Sequence, residues 1–189
     1  MTWIKVCGIT SPEDAEAAIQ AGVSAIGLVM APSPRRVTIE TALEIAACVQ
    51  GRVELVGVFQ DVGLAETAQA LVGFDRVQFH GSAALDIAVP VLRAIRPDDE
   101  QPPFPGEREM ALIDGSEGTG VFDPATLRSR PGPFVIAGGL NSENVGEAIA
   151  AARPHGVDVS TGVESAPGIK DPEKMARFVA AVRRADERT

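Results

Sequence analysis

Short apolar runs alternate with alanine-rich stretches along the whole chain. The runs are rich in Val, Ile and Leu, as strands buried on both faces of a parallel sheet are. They predict eight strands: Ile4–Ile9, Ala25–Met30, Val53–Phe59, Phe74–His80, Val89–Ile95, Met110–Asp114, Pro133–Ala137 and Gly156–Ser160.

The stretches between these runs carry apolar residues at helical spacing. They predict helices over 12–20, 39–49, 64–71, 83–88, 142–152 and 172–184. The first of these helices has clear boundary signals, since Ser11 suits the N-cap position and Pro12 the first helical position. Gly22 follows where a left-handed residue ends a helix.

Strands joined by helices in this order pair in parallel through right-handed crossovers. Eight such units favour a closed (β/α)8 TIM barrel over an open doubly wound sheet. Four prolines between Pro97 and Glu109 predict that a loop replaces the fifth helix, because a proline inside a helix costs about 3 kcal/mol. We therefore predict one α/β domain that spans residues 1–189.

Composition excludes several classes of partner. The chain has 189 residues, of which 17 are basic and 26 acidic, and its net charge is −9. This charge gives no general attraction to nucleic acid or to an anionic membrane surface. No apolar run reaches the roughly 18 residues of a spanning helix, and the N-terminus lacks the layout of a signal peptide. We expect a cytoplasmic protein with neither nucleic acid nor membrane as a partner.

In a (β/α)8 barrel, the chemistry lies at the carboxyl ends of the strands and in the loops that follow them. Polar and titratable side chains concentrate at these positions, which makes them candidate site residues: Cys7, Arg35, Arg36, Gln78, His80, Asp114 and Asp158. Buried cysteines are ordinary core residues, but Cys7 follows Lys5 on the same strand face and precedes a glycine turn, so its structural and catalytic interpretations are about equally supported. Asp114 is either a turn cap or an acid–base group.

Two glycine-bearing segments follow the seventh and eighth predicted strands. Barrels often bind phosphate at these two strand ends through backbone N–H groups. The candidate phosphate-binding residues are Gly138, Gly139, Asn141, Ser160, Thr161 and Gly162. The chain has only two histidines and no metal-ligand spacing, so we expect neither a metal nor another cofactor.

Six segments, in order, resemble the phosphoribosylanthranilate isomerase family. They are Lys5-Val6-Cys7-Gly8-Ile9-Thr10, Ser33-Pro34-Arg35-Arg36-Val37, Val56-Gly57-Val58-Phe59, Val77-Gln78-Phe79-His80-Gly81, Ala137-Gly138-Gly139-Leu140-Asn141 and Asp158-Val159-Ser160-Thr161-Gly162-Val163-Glu164-Ser165-Ala166-Pro167-Gly168. The resemblance implies a cofactor-independent (β/α)8 isomerase of tryptophan biosynthesis, acting on a small phosphorylated substrate.

The resemblance also implies roles for individual residues. Cys7 falls on the family's general base and Asp114 on its general acid, while the segments around Gly139 and Gly162 match its phosphate cradle. Gln78, His80 and Asp158 fall where substrate-contacting side chains are expected. An arginine that engages the anthranilate half is Arg35 by motif and Arg36 by counting from the N-terminus, and we favour Arg35.

Two other hypotheses compete with this one. A different phosphate-binding barrel enzyme is possible in principle, but a related sugar isomerase would have aspartate in place of Cys7, and a pentulose-phosphate epimerase would have metal-binding histidines. A barrel that only binds a phosphorylated ligand predicts loss of the acid or the base, and both are present. The sequence allows either a monomer or a homodimer.

Overall fold

Eight parallel strands form a closed barrel in chain order, in which the last strand pairs with the first. The computed structural model describes residues 1–81, 83–95, 109–115 and 133–188. The strands are β1 Trp3–Cys7, β2 Ala25–Val29, β3 Glu54–Phe59, β4 Arg76–His80, β5 Val91–Ile95, β6 Glu109–Asp114, β7 Phe134–Ala137 and β8 Gly156–Val159. The predicted TIM barrel is confirmed.

Helices cover the outside of the barrel. In the described ranges they are α1 Pro12–Ala21, α2 Ile39–Val49, α3 Val62–Val72, α4 Val145–Ala152 and α5 Pro172–Asp186. The N-cap side chains of Ser11, Thr38, Asp61 and Asp171 accept a backbone N–H in the first turn of α1, α2, α3 and α5 respectively. After β8, a 3-10 turn (Thr161–Val163) leads into a small hairpin of β9 Glu164–Ala166 and β10 Ile169–Lys170.

The predicted helix over 83–88 is wrong, because residues 83–90 form an irregular segment. Arg93, a buried residue of β5 that is 4% exposed, binds the start of this segment. Its Nη1 donates to the carbonyl oxygens of Gly81 (2.8 Å) and Ala83 (2.9 Å), so these two backbone groups are paired without a helix. The loop expected in place of the fifth helix falls on residues outside the described ranges, apart from Glu109, which begins β6.

The amino end of the barrel interior is closed by three side chains from three strands. Trp3 Nε1 and Arg76 Nη2 each donate to the Glu54 carboxylate, both at 3.0 Å. The Arg76 guanidinium also lies 5.8 Å from the centroid of the Trp3 ring. These three side chains occupy the amino end, whereas the predicted site residues lie at the carboxyl ends of the strands.

Glycine at position 57 makes room for two aromatic rings on the outer face of β3. The Phe59 and Phe74 rings meet edge-to-face, with centroids 5.8 Å apart. A Cβ atom on Gly57 would lie 2.5 Å from Phe59 and 2.9 Å from Phe74. Both rings are fully buried, so neither can move aside without disturbing the packing between β3 and α3.

We predict that Gly57→Ala lowers the free energy of unfolding by about 1–3 kcal/mol through overpacking. The matched control is Gly63→Ala in α3, where a Cβ would meet only Asp61 Oδ1 at 3.6 Å. That change should raise stability by up to about 1 kcal/mol, because alanine favours a helix over glycine. Urea unfolding of both variants checks this, and a Gly57→Ala variant as stable as the parent would contradict it.

Candidate active site

Cys7 is the last residue of β1, and its side chain points into the open mouth of the barrel. The following turn is held to β2, because Gly8 N and Ile9 N both donate to Gly27 O, at 2.8 and 3.0 Å. Gly8 has a φ of +80°, which favours glycine. The cysteine is 8% exposed, and burial raises the pKa of its thiol.

Lys5 lies one inward-facing position below Cys7, and it is fully buried. Its Nζ donates to Asp158 Oδ1 (2.8 Å) on β8 and to Gln78 Oε1 (2.9 Å) on β4. Burial alone would lower the pKa of Lys5, but Asp158 and, after it, Cys7 together outweigh burial, so the pKa of Lys5 is raised. An ion pair therefore joins the neighbouring strands β1 and β8 beneath the mouth, and the bond to Gln78 reaches across the interior to β4.

The protonation of His80 follows from this arrangement. Lys5 has only donors, so the Gln78 oxygen faces it and the Gln78 amide nitrogen faces His80 Nε2, 3.0 Å away. His80 Nε2 must then accept, which makes the ring neutral with its proton on Nδ1. Part of the His80 ring is exposed to solvent, and the rest is surrounded by protein. This partial burial and the positive charge of Lys5 both lower the pKa of His80.

Asp114 ends β6, and its register places it on the inward face, across the mouth from β1. It is half-buried and lies close enough to His80 for its charge to act on the ring. Cys7, His80 and Asp114 thus come from three different strands and face the same opening. That is the placement expected for an acid and a base that act on one bound molecule.

Arg35 extends over this mouth and is held by the Glu164 carboxylate. Its Nε and Nη2 donate to the two carboxylate oxygens, each at 2.7 Å, in a bidentate pair. The stem of the side chain runs over Gly8, where a Cβ would come within 2.5 Å of Arg35 Cδ. Lys170 Nζ also donates to Glu164 Oε1, at 2.8 Å, so one carboxylate faces two cations.

Arg36 is exposed, whereas Arg35 is half-buried. The backbone turn fixes this difference: Ser33 Oγ accepts Arg35 N and Ser33 O accepts Arg36 N, both at 3.1 Å. The backbone of Arg36 then forms an isolated parallel β-bridge with Val29 of β2. Of the two arginines, the geometry supports Arg35 as the group able to reach a ligand in the mouth.

The loops after β7 and β8 lie against each other beside the same opening. A Cβ on Gly162 would collide with the carbonyl oxygen of Leu140, so glycine is needed for this close approach. Gly138 and Gly139 both have positive φ, at +89° and +63°. The 3-10 turn Thr161–Val163 begins directly after Ser160, beside the loop after β7.

Two asparagines fix the shape of the loop after β7. Asn141 Oδ1 accepts the backbone N–H groups of Glu143 (2.8 Å) and Asn144 (3.1 Å), while Asn141 N donates to Asn144 Oδ1 (2.8 Å). Asn144 Nδ2 in turn donates to Gly139 O at 2.9 Å. The Asn141 side chain thus holds the shape of the loop through its Oδ1 atom. The predicted contact between Asn141 and a phosphate stays a prediction.

Three buried charged residues were absent from the predicted site: Lys5, Glu164 and Lys170. Lys5 could have been found, since a lysine on an inward strand position needs a partner. Glu164 and Lys170 carried no such signal, because they become buried only when the short hairpin folds back onto the mouth. Ser160 directly follows β8 and lies beside Lys170, whose Nζ is 3.4 Å from the Ser160 carbonyl oxygen.

No group of three or more His, Cys, Asp or Glu residues able to hold a metal ion occurs among the residues described. Within the same residues, no helix is both long and apolar enough to cross a membrane.

A closed barrel with titratable and glycine-bearing strand ends gathered at its carboxyl mouth defines the class of (β/α)8-barrel enzymes. A family model described as N-(5'phosphoribosyl)anthranilate (PRA) isomerase matches residues 4–181. The chain belongs to this family, which confirms the resemblance seen in its motifs.

Relatives and solved structures agree with this assignment. The PRA isomerase of Halorhodospira halophila is 40% identical and covers 98% of this chain and 99% of its own length. A structure of PRA isomerase with reduced 1-(o-carboxyphenylamino)-1-deoxyribulose 5-phosphate is 31% identical, with a TM-score of 0.82 and coverage of 97% and 99%. Monomers made from the dimeric enzyme of Thermotoga maritima superpose with a TM-score of 0.81, 31% identity and the same coverage.

We predict a pH-dependent stability contribution from Glu164. Burial opposes its charge, but the bonds from Arg35 and Lys170 outweigh this and lower its pKa. A lowered carboxyl pKa contributes stability above the unfolded value of about 4.3, and this is lost as pH falls through the folded value. Glu164→Gln should therefore destabilise the chain most near neutral pH, and its deficit should shrink in acid.

Urea unfolding between about pH 3 and pH 7 measures this difference. The matched control is Glu173→Gln, whose exposed partner Arg177 lies 3.3 Å away and which should change stability by less than about 0.5 kcal/mol. A Glu164→Gln deficit that stays constant across this range would contradict the prediction.

Proposed function

We propose that this chain rearranges N-(5-phosphoribosyl)anthranilate to 1-(2-carboxyphenylamino)-1-deoxyribulose 5-phosphate, with the substrate bound in the barrel mouth. The chain is an isomerase of tryptophan biosynthesis by its family. The observation that carries the site assignment is the convergence of Cys7, Asp114, Arg35 and the two glycine loops on one opening.

The phosphate of the substrate would bind between the loops after β7 and β8. The N–H groups around Gly139 and Gly162 offer donors without adding charge. Gly138, Ser160 and Thr161 complete the cradle, and Asn141 holds its shape. The two loops approach each other so closely that Gly162 cannot carry a side chain.

The acid and base steps would be divided between Asp114 and Cys7. Asp114 gives a proton to the ribose ring oxygen, and the furanose opens to a Schiff base. Cys7, as the thiolate, takes the proton from C2, and the resulting enolamine converts to the ketone product. The ring oxygen and C1 each gain a proton, while C2 and the hydroxyl on C2 each lose one, so the reaction is an isomerisation that needs no oxidant or reductant. A general acid or base typically increases the rate of such a step by about 10²–10⁴-fold.

Arg35 would hold the anthranilate carboxylate, with His80, Gln78 and Asp158 shaping the opposite wall. Its pairing with Glu164 fixes the plane of the guanidinium before the substrate binds. Lys170 also donates to this carboxylate, so two cations flank Glu164 beside the mouth. These two positive charges favour an anionic substrate despite the overall charge of −9.

We propose further that residues 1–189 act as one domain and that the site is complete within one chain. All the described groups of the site come from the same barrel, so a monomer and a homodimer would both be active. The dimeric Thermotoga maritima relative is compatible with either state. Since a substrate with a phosphate and a carboxylate does not cross a bilayer freely, the cytoplasm is the expected location.

The direct test is turnover by the purified chain, followed as loss of the fluorescence of phosphoribosylanthranilate. The parent should be active, and Cys7→Ala and Asp114→Asn should each lose about 100-fold or more in kcat while phosphate affinity is largely kept. The matched control is Cys48→Ala, a second free cysteine on α2, which should keep activity.

Two results would overturn this account. No turnover by the parent, under conditions in which a known PRA isomerase is active, would remove the proposed function. Parental turnover in Cys7→Ala or in Asp114→Asn would leave the function but remove that residue's role.

A further inference from the structure

Lys5 is the largest fully buried side chain of the described barrel interior that the proposed reaction does not yet use. A buried ammonium is costly unless it is paired and hydrogen-bonded, and a hydrophobic side chain of the same size would fill this space at less cost. Its position therefore calls for an explanation beyond packing.

The ammonium group has three donors, and two of them are assigned. One goes to Asp158 Oδ1 at 2.8 Å and one to Gln78 Oε1 at 2.9 Å. The Cys7 side chain is the next inward-facing group on β1, and a charge on its sulfur would act on Lys5. Lys5 thus binds a carboxylate and an amide and lies next to the candidate base.

A glycine on β2 brings the lysine and the cysteine together. A Cβ on Gly27 would lie 3.0 Å from Cys7 Sγ and 3.0 Å from Lys5 Cε. Both side chains therefore pack over the bare backbone of the same residue. Any larger residue at this position would displace one of them from the other.

We propose that Lys5 is a positioning residue that stabilises the thiolate of Cys7 in the buried site, which rests on the proposed role of Cys7 as the base. When the thiolate forms, the thiol proton leaves through the open mouth to solvent. Lys5 keeps its own three protons, because Asp158 holds it in the charged form. Asp158 acts on the thiolate with the opposite sign, since its negative charge repels that of the sulfur.

Other charged groups face Cys7 from the surrounding elements, and they set the background for this effect. They are Asp158 on β8, Lys170 on β10, Arg35 after β2 with its partner Glu164, and, farther across the mouth, His80 on β4 and Asp114 on β6. Burial is the largest influence and raises the pKa of Cys7, and Lys5 is the strongest of the groups that oppose it.

A purely structural ion pair makes a different prediction. If Lys5 and Asp158 only brace the barrel, removing either one leaves a buried charge and lowers stability, with no opposite effects on the thiol. If Lys5 stabilises the thiolate, neutralising the two partners must shift the Cys7 titration in opposite directions. The sign of the shift therefore separates the two explanations.

The experiment measures the rate of alkylation of Cys7 by iodoacetamide against pH, in a Cys48→Ser background and without substrate. Lys5→Gln should move the midpoint upward by about one pH unit, which is about tenfold less thiolate at a fixed pH below it. Asp158→Asn should move it downward. Shifts in the same direction, or no shift in Lys5→Gln, would overturn the proposal.

A second variant protects the test against loss of folding. Lys5→Gln with Asp158→Asn leaves no uncompensated buried charge, so it should fold where Lys5→Gln alone fails. Because Lys5 acts on the charge of Cys7 more strongly than Asp158 does, the double variant should also titrate above the parent. A double variant that titrates at or below the parent would contradict the role of Lys5.

Turnover provides the separate readout. The rising limb of kcat/KM against pH should move upward in Lys5→Gln by the same amount as the alkylation midpoint. Opposite thiol shifts without any turnover by the parent would keep this inference and remove the proposed function. Normal turnover by the parent, with an unshifted rising limb in Lys5→Gln, would keep the proposed function and remove the inference about Lys5.

Discussion

The ion pair between Lys5 and Asp158 is the constraint on which the rest of the site depends. An ammonium inside a closed barrel must find its partners on the inner faces of other strands, and it finds them on β8 and β4. Its contact with Gln78 sets the amide orientation, which in turn makes the His80 ring neutral. Because Cys7 lies directly above it, the same charge lies beside the candidate base.

A second carboxylate organises the upper edge of the mouth. Glu164 holds Arg35 in a bidentate pair and accepts from Lys170, so an arginine on a loop becomes nearly as fixed as a strand residue. The two carboxylates have different partners: Asp158 pairs with one buried cation, whereas Glu164 pairs with two. A chain with a net charge of −9 can thereby place two cations beside the mouth, where they attract an anionic substrate.

The barrel fold and the position of the candidate site could be predicted from the sequence. Strand patterning depends on local signals, and sites in such barrels lie at the carboxyl ends of the strands. These place Cys7 and Asp114 at the mouth without any structure. The irregular segment over 83–90 could not be predicted, since a buried arginine from β5 binds the carbonyl oxygens of Gly81 and Ala83 at its start. Nor could Glu164, whose importance appears only when a hairpin distant from Arg35 in sequence folds against it.

The most direct measurement is a crystal structure of the chain with reduced 1-(2-carboxyphenylamino)-1-deoxyribulose 5-phosphate. The account predicts the phosphate on the backbone N–H groups near Gly139 and Gly162, the aryl carboxylate on Arg35, and C2 of the sugar facing Cys7 Sγ. A ligand bound outside the barrel mouth, or a carboxylate held by Arg36 with Cys7 turned away from C2, would contradict it.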